Sequence, residues 1–380
     1  MRVGLNATCF SDQPSGANQR FRLLYGALIR RNPAITFVVF EPADFRVSEW
    51  FEGLPNVETV VTPLPAEGRL RRFLAGLGYW RPALRQARLD LFEAFHLPAV
   101  IAPDCPTLLT IHDLRPLRPE SGWLERLFAR PILHRALTGS SCIIAVSDVV
   151  AGEIRVLHPG ARVETVVNGV DAQAIRALTE DQAAAIVAEL GLPSRFILAV
   201  GHLEERKNLT QLVRATAALR QAGLERPLIL AGNDRGDRDN LERVIADLGL
   251  GDLVRILPGL DDRQIAALYH RCSVFAFPSR YEGFGIPLIE AMVAGKPIVA
   301  SDTAVFREVA GNAALFFPLD DISATAQAIE TAWSDTAERQ RLIAAGAERV
   351  RAFDFDRLAD RLAEIYRSIA SNRVNAAVGE

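Results

Sequence analysis

Several protein classes are missing from this 380-residue chain. No run reaches the ~18 apolar residues of a membrane-spanning helix. There is no N-terminal apolar segment with a cleavage site, because Met1 and Arg2 lead straight into VGLNAT. A cytoplasmic protein is expected, at most peripheral at the inner face of the plasma membrane. Only four cysteines occur, Cys9, Cys105, Cys142 and Cys272, and none has C-x-x-C spacing, so neither a zinc site nor a redox dithiol is expected. Charge of neither sign dominates. The formal net charge is −3, which gives no electrostatic footprint for nucleic acid. The acidic groups Asp261–Asp262, Asp320–Asp321 and DRGDRD (234–239) read as helix starts or loops, where capping accounts for them, and no metal is expected.

What is present is a globular composition, 49% apolar and 23% charged, at a length that suits two cores better than one. Short apolar runs alternate with helical patterns throughout. VGLNA, Ile35–Phe40, Val57–Val61, Leu89–Phe95, Thr107–Ile111 and Cys142–Val146 read as strands of one sheet. FILAV, PLILAG, VRIL, VFAF, PIVAS and ALFF read as strands of a second. Such alternation predicts two doubly wound, mostly parallel sheets, with ligands gathered at the carboxyl ends of the strands. The junction is expected near 168–175. The boundaries are set at 1–170 for the first domain and 171–351 for the second, with a closing helix over 352–372 and a flexible tail over 373–380.

The segment EGFGIPLIE, Glu282–Glu290, is the centre of the functional reading. It follows the strand-like VFAF and begins a helix whose early Pro287 is tolerated because the first helical N–H groups lack intrahelical partners. Gly283 and Gly285 suit a tight loop. The amides of Gly283, Phe284, Gly285 and Ile286, together with the positive end of the helix dipole, can cradle an anion. Glu282 and Glu290 bracket that cradle, and ionised carboxylates accept hydrogen bonds from hydroxyls. A phosphate with a sugar on either side, which is a nucleotide-sugar, matches this arrangement. The competing reading is a plain strand–loop–helix with a dipole-complementing glutamate. Arg206 and Lys207, after FILAV, add two cations that can neutralise a diphosphate. His112, with Asp113, follows the strand LLTI and can donate to a sugar hydroxyl. Gly16, after the first strand, lets a phosphate or acceptor approach the backbone. Gly232 and Asn233, and Gly259 and Leu260, stand at further strand ends of the second half.

Glu282, Gly283, Phe284, Gly285, Glu290 and Ala291 resemble the E-x7-E signature of glycosyltransferase family 4, retaining enzymes of the GT-B fold. Gly201, Lys207, Gly16 and the string around His112 match further family positions, the last resembling mannosyltransferase-like members. His202 stands where many members carry arginine, and Arg206 supplies the charge. The resemblance implies two Rossmann-like domains facing across a cleft, with the final helix crossing back to the first. It implies that Glu290 binds the ribose diol and the loop amides bind the pyrophosphate. It also places Glu282 and His112 beside the donor sugar, as the catalytic pair, and the base near 232–233 and 259–260. The activity implied is retaining, metal-independent hexosyl transfer. Mannose from GDP-mannose is the expected donor, and a saccharide or polyprenyl-linked saccharide the acceptor, in surface-glycan assembly. No cofactor is implied. A nucleotide-sugar epimerase and a non-catalytic sugar-nucleotide-binding module remain as alternatives. Finally, 69–88 is arginine-rich with interleaved Phe73, Tyr79 and Trp80. It suits either an anionic membrane surface or a solvated helical face, with nucleic acid a weaker third reading.

Overall fold

The computed structural model describes residues 1–12, 15–118 and 122–378. It divides into two units, Met1–Gly169 with Asp354–Glu380, and Val170–Phe353. The first unit contains β1 (Arg2–Asn6), β2 (Thr36–Glu41), β3 (Val57–Val61), β4 (Leu91–Ala94), β5 (Thr107–Ile111), β6 (Cys142–Ala145) and β7 (Val163–Thr165). Their spatial order is β3-β2-β1-β4-β5-β6-β7, parallel throughout. The second unit contains β8 (Ile197–Val200), β9 (Leu228–Ala231), β10 (Val254–Leu257), β11 (Val274–Phe277), β12 (Ile298–Ser301) and β13 (Ala314–Phe317). The order there is β10-β9-β8-β11-β12-β13, again parallel. Helices cover both faces of a parallel sheet. That is why central strands such as β5 (TLLTI) and β11 (VFAF) are buried at every position.

In the first unit one sheet face packs on Leu24, Leu28 and Ile29 and on Leu358, Leu362, Tyr366 and Ile369 of the helix Phe355–Val378. The other face packs on Leu84, Leu133, Leu137, Val150 and Ile154. The final helix thus belongs to the first unit. From the sequence it was expected to end at 372, ahead of a flexible tail over 373–380. It runs on to Val378, because no proline or glycine interrupts it before Gly379, and Gly379 and Glu380 lie outside the described residues.

Glu93, on β4, is fully buried. It accepts from Tyr25 Oη at 2.7 Å, from Thr110 Oγ1 at 2.6 Å and from Tyr366 Oη, so one carboxylate joins two strands to two helices. A helix begins at Gly16, capped by Ser15 Oγ accepting from Asn18 N at 3.1 Å. Directly after Arg20 it passes through a π segment, Phe21–Tyr25, before regular turns resume over Gly26–Arg31. Such segments shift the helical register and recur at functional sites.

Gly76 and Gly78 divide 69–88 into two helices, Arg69–Gly76 and Trp80–Ala87. Trp80 and Leu84 face the core, while Leu70, Phe73, Leu74 and Leu77 stay exposed, Leu70 at 70% and Leu77 at 62%. Among the described residues, no helix is long and apolar enough to cross a membrane.

Candidate functional site

In the second sheet the neighbouring strands β10, β9, β8 and β11 each deliver one of the candidate segments at their carboxyl ends. The order of the sheet reverses between β8 and β11, which is where open parallel sheets bind ligands. β11 leads to the Gly-rich loop. Gly285 caps the helix Ile286–Val293 at φ 109°, a conformation a side chain rarely adopts. A Cβ there would also press on Phe306 at 3.2 Å and Leu288 at 3.3 Å. The cap is made by no side chain. The first-turn amides of Gly285 and Ile286 have no intrahelical acceptor, and Leu288 N bonds Gly285 O at 3.0 Å. Phe284 anchors the loop instead of reaching outward; its buried ring meets Phe353 edge-on at 5.8 Å. Ser301 Oγ donates to Ser279 O at 2.5 Å, which fixes the start of the loop to β12.

Glu282 lies at the centre of the cations. Lys207 Nζ donates to its Oε1 at 2.6 Å, and Arg206 Nη1 reaches the same oxygen at 2.8 Å. Burial pushes the Glu282 carboxyl up, but Lys207 and then Arg206 outweigh it and hold the group below the usual carboxylate range. Burial likewise works against the Arg206 charge, and Glu282 and Glu204 more than restore it. The two cations differ in what they have left. Arg206 Nη1 also bonds Tyr281 O at 3.1 Å, Nη2 pairs with Glu204 Oε1 at 2.5 Å, and Nε is enclosed. Its guanidinium is committed to holding the acids and the loop. Lys207 rests 5.1 Å from the Phe277 ring centroid and has three donors, one of them on Glu282. It is the cation with capacity for a phosphate.

Lys207 fits because Gly201, just after β8, has no side chain. A Cβ there would lie 3.3 Å from Nζ. Gly232, after β9, is required for a different reason: its Cβ would fall 1.9 Å from Gly201 O. Burial first, and then the charge of Arg235, push the His202 imidazole below its ordinary value. The Asn233 side chain ties two strand ends together, with Oδ1 accepting from Gly259 N at 2.8 Å, so Asn233, Gly259 and the half-buried Leu260 form one rim.

Glu290 accepts from Tyr269 Oη at 2.8 Å. Burial raises its carboxyl above the ordinary value, and the tyrosine partly offsets that. The tyrosine gave no signal in the sequence, since a buried aromatic on an amphipathic helix reads as core. Four of the acids considered as metal ligands have other partners. Asp261 caps the helix Asp262–Arg271, Asp321 caps Ile322–Ser334, Asp320 pairs with Arg280, and Asp234 accepts from the amides of Gly236 and Arg238.

In the first unit, His112 stands half-buried at the carboxyl end of β5. Burial, and then the charge of Arg20, push its imidazole down to about 3, so it is neutral at ordinary pH. Asp113 accepts from Arg115 N at 3.0 Å and closes the following turn. Gly16 is the first residue of its helix. Arg20, which sequence reasoning passed over, is buried beside this group.

The chain resembles known proteins along its whole length. A phosphatidyl-myo-inositol mannosyltransferase of Mycobacterium leprae is 26% identical over 389 residues, 98% of each chain. O-antigen chain mannosyltransferase B of Escherichia coli is 28% identical over 264 residues, covering 68% of this chain and 69% of that one. Among solved structures, a sucrose-phosphate synthase from Thermosynechococcus elongatus superposes with a TM-score of 0.80 at 22% identity, over 98% of this chain and 99% of the other. Anabaena HepE, in complex with UDP and glucose, gives 0.73 at 22% identity, over 97% and 100%. These superpositions identify the fold as GT-B. The family model for glycosyltransferase family 4 matches residues 14–174, and that for glycosyl transferases group 1 matches residues 185–349. With both halves matched in sequence order, and with the fold those halves require, the chain belongs to the family 4, group 1 glycosyltransferases.

Proposed function

We propose that this glycosyltransferase is a retaining, metal-independent hexosyltransferase that moves mannose from GDP-mannose to a saccharide or lipid-linked saccharide acceptor in surface-glycan assembly. The observation that carries the reading is the group formed by Lys207, Glu282 and the start of the helix Ile286–Val293, at the switch point of the second sheet. Lys207 and the Gly285 and Ile286 amides take the diphosphate. Glu290, oriented by Tyr269, accepts from the ribose hydroxyls. Asn233, Gly259 and Leu260 border the base. On the second unit Glu282 is the catalytic group for the transferred sugar; on the first, His112 is the catalytic candidate and the acceptor is held beside Gly16.

In the reaction, the bond from sugar C1 to the diphosphate oxygen breaks while the acceptor oxygen bonds C1 on the same face. The acceptor proton passes to the departing phosphate oxygen. Negative charge builds on that diphosphate, where a preorganised ammonium and helix-start amides are most effective. They stand in for a metal ion there. Mannose is favoured by the mannosyltransferase relatives. A screen of GDP-, UDP-, ADP- and dTDP-sugars by thermal shift tests the donor, since a ligand bound only to the native state raises apparent stability. The reading expects GDP-mannose to give the largest shift. A larger shift with another donor overturns the assignment. Release of an epimerised nucleotide-sugar without acceptor overturns transfer itself.

The exposed face of Leu70, Phe73, Leu74 and Leu77, with Arg71, Arg81 and Arg88 around it, suits an anionic lipid surface. Behind it lies an apolar cavity of about 180 Å³, lined by Leu64, Phe73, Leu77, Trp80, Leu97 and Val100 among others. Co-sedimentation with phosphatidylglycerol vesicles should fall sharply in a Leu70→Ser/Leu74→Ser variant. Undiminished binding rules this face out.

A further inference from the structure

Arg20 carries a charge that the proposed transfer does not use. It is 3% exposed, at the last turn before the π segment. Its Nη1 donates to Val167 O at 2.7 Å and to Asn168 Oδ1 at 2.8 Å. Its Nε and Nη2 are buried and, among the described residues, have no acceptor. Those two N–H groups share one edge of the guanidinium, the edge that grips an oxyanion with two parallel bonds. In four other arginines that same edge is filled by a carboxylate. Arg31 uses Nε and Nη2 on Asp360, Arg226 on Glu330, Arg307 on Asp302 and Arg341 on Glu338.

Among the described residues, no carboxylate fills the edge on Arg20. The buried acid whose charge acts on it, Glu93, accepts instead from Tyr25, Thr110 and Tyr366. A buried cation without a counter-ion is costly, so an anion from outside has a strong reason to bind. Other polar groups lie at the same end of the sheet. Asn6, at the end of β1, has a buried Nδ2 with no acceptor among the described residues, its Oδ1 being held by Thr8 Oγ1 at 2.7 Å. His112, at the end of β5, offers a neutral imidazole. A set rich in donors and poor in acceptors suits a group with three or more oxygens, which is a phosphate.

We propose that Arg20, with Asn6 and His112, forms a phosphate subsite in the first unit, and that the acceptor is a phosphate ester gripped there by the Nε–Nη2 edge. This rests on the reading above, in which the first unit holds the acceptor. The donor diphosphate has its own groups around Lys207, so the two anions are separable by experiment.

Hydrogen exchange of the wild-type protein is measured with GDP, with inorganic phosphate, and with both. GDP should protect 280–290. Inorganic phosphate added to the GDP-saturated protein should further protect peptides over 15–25 and 107–115. If GDP alone protects 15–25 and phosphate adds nothing, Arg20 serves the donor and the proposal falls. If neither probe protects 15–25, the buried edge holds only water and the proposal also falls. Calorimetric titration of inorganic phosphate into GDP-saturated Arg20→Gln should show affinity at least tenfold weaker than wild type, with Arg20→Lys between them. Equal affinity in all three overturns the assignment. The wild-type exchange decides alone should both variants fail to fold. A Lys207→Ala variant with unimpaired transfer would sink the functional reading while leaving the phosphate result standing.

Discussion

Replacing Lys207 by methionine keeps the aliphatic stem and removes one charge. The side chains of Lys207 and Glu282 are 10% and 13% exposed, so solvent screens the pair little. Breaking a buried pair outright costs about 3–5 kcal/mol, because it strands a charge. Here Arg206 remains 2.8 Å from the same oxygen, so the loss is nearer that of one charged hydrogen bond, about 2 kcal/mol. For a unit of this size that is roughly 4–8 °C in unfolding midpoint. The rate should suffer more. Losing one preorganised donor to developing charge typically costs about 10²–10³ in kcat. The assay is the initial rate of nucleoside diphosphate release, beside thermal unfolding followed by circular dichroism. The depressed Glu282 carboxyl adds a sign. Its contribution to stability is complete above the ordinary carboxylate range and is lost as pH falls through the lower folded value, so in Lys207→Met, where less of that depression remains, the acid-induced loss should be smaller and should end at a higher pH. A kcat within tenfold of wild type would refute the reasoning, as would an unchanged unfolding midpoint.

Because His112 is held neutral down to about 3, its imidazole signals should not titrate between pH 8 and 5 by NMR. The unfolded histidine takes up its proton near 6.5, so this group makes stability fall as pH drops from about 6.5 toward 3; a His112→Gln variant should show a shallower fall, measured by chemical denaturation. Tyr269→Phe removes the hydroxyl that favours ionised Glu290, so the KM for donor should begin to rise at a higher pH on acidification than in wild type. An unaltered KM profile would detach Glu290 from donor binding. Tyr366→Phe leaves the buried Glu93 one donor short. It should cost about 1–3 kcal/mol by denaturant unfolding, with KM for the donor unchanged.

Much of this was readable from residue order because parallel sheets reveal themselves locally. Buried strands such as VFAF and LILA are continuous apolar runs, and each is followed by the glycine that lets the chain turn over the sheet edge. Gly201, Gly232, Gly259 and Gly285 therefore pointed to one rim before any coordinates did. Partners made across long sequence separation were not readable. Tyr269 meets Glu290 from another helix, and Asn233 meets Gly259 from another strand. The pairing of Arg206 with Glu204 and Glu282, instead of a free outward cation, depends on the loop path at Tyr281. Arg20 escaped notice because an arginine in a surface-patterned helix looks solvated. The π segment beginning at Phe21 has no sequence signature to place that position against the sheet.

The first unit borrows its last helix from the end of the chain, with the second unit inserted between. A ribosome therefore releases the whole of the second unit while the first still lacks Leu358, Leu362 and Tyr366 against its sheet. The later-made unit can close its core sooner, reversing the N-terminal-first order usual during translation. Until that helix emerges, Leu24, Leu28 and the inward oxygen of Glu93 face solvent or a chaperone. Truncations that spare every residue around Lys207 but end before 355 should accordingly yield aggregation-prone nascent chains.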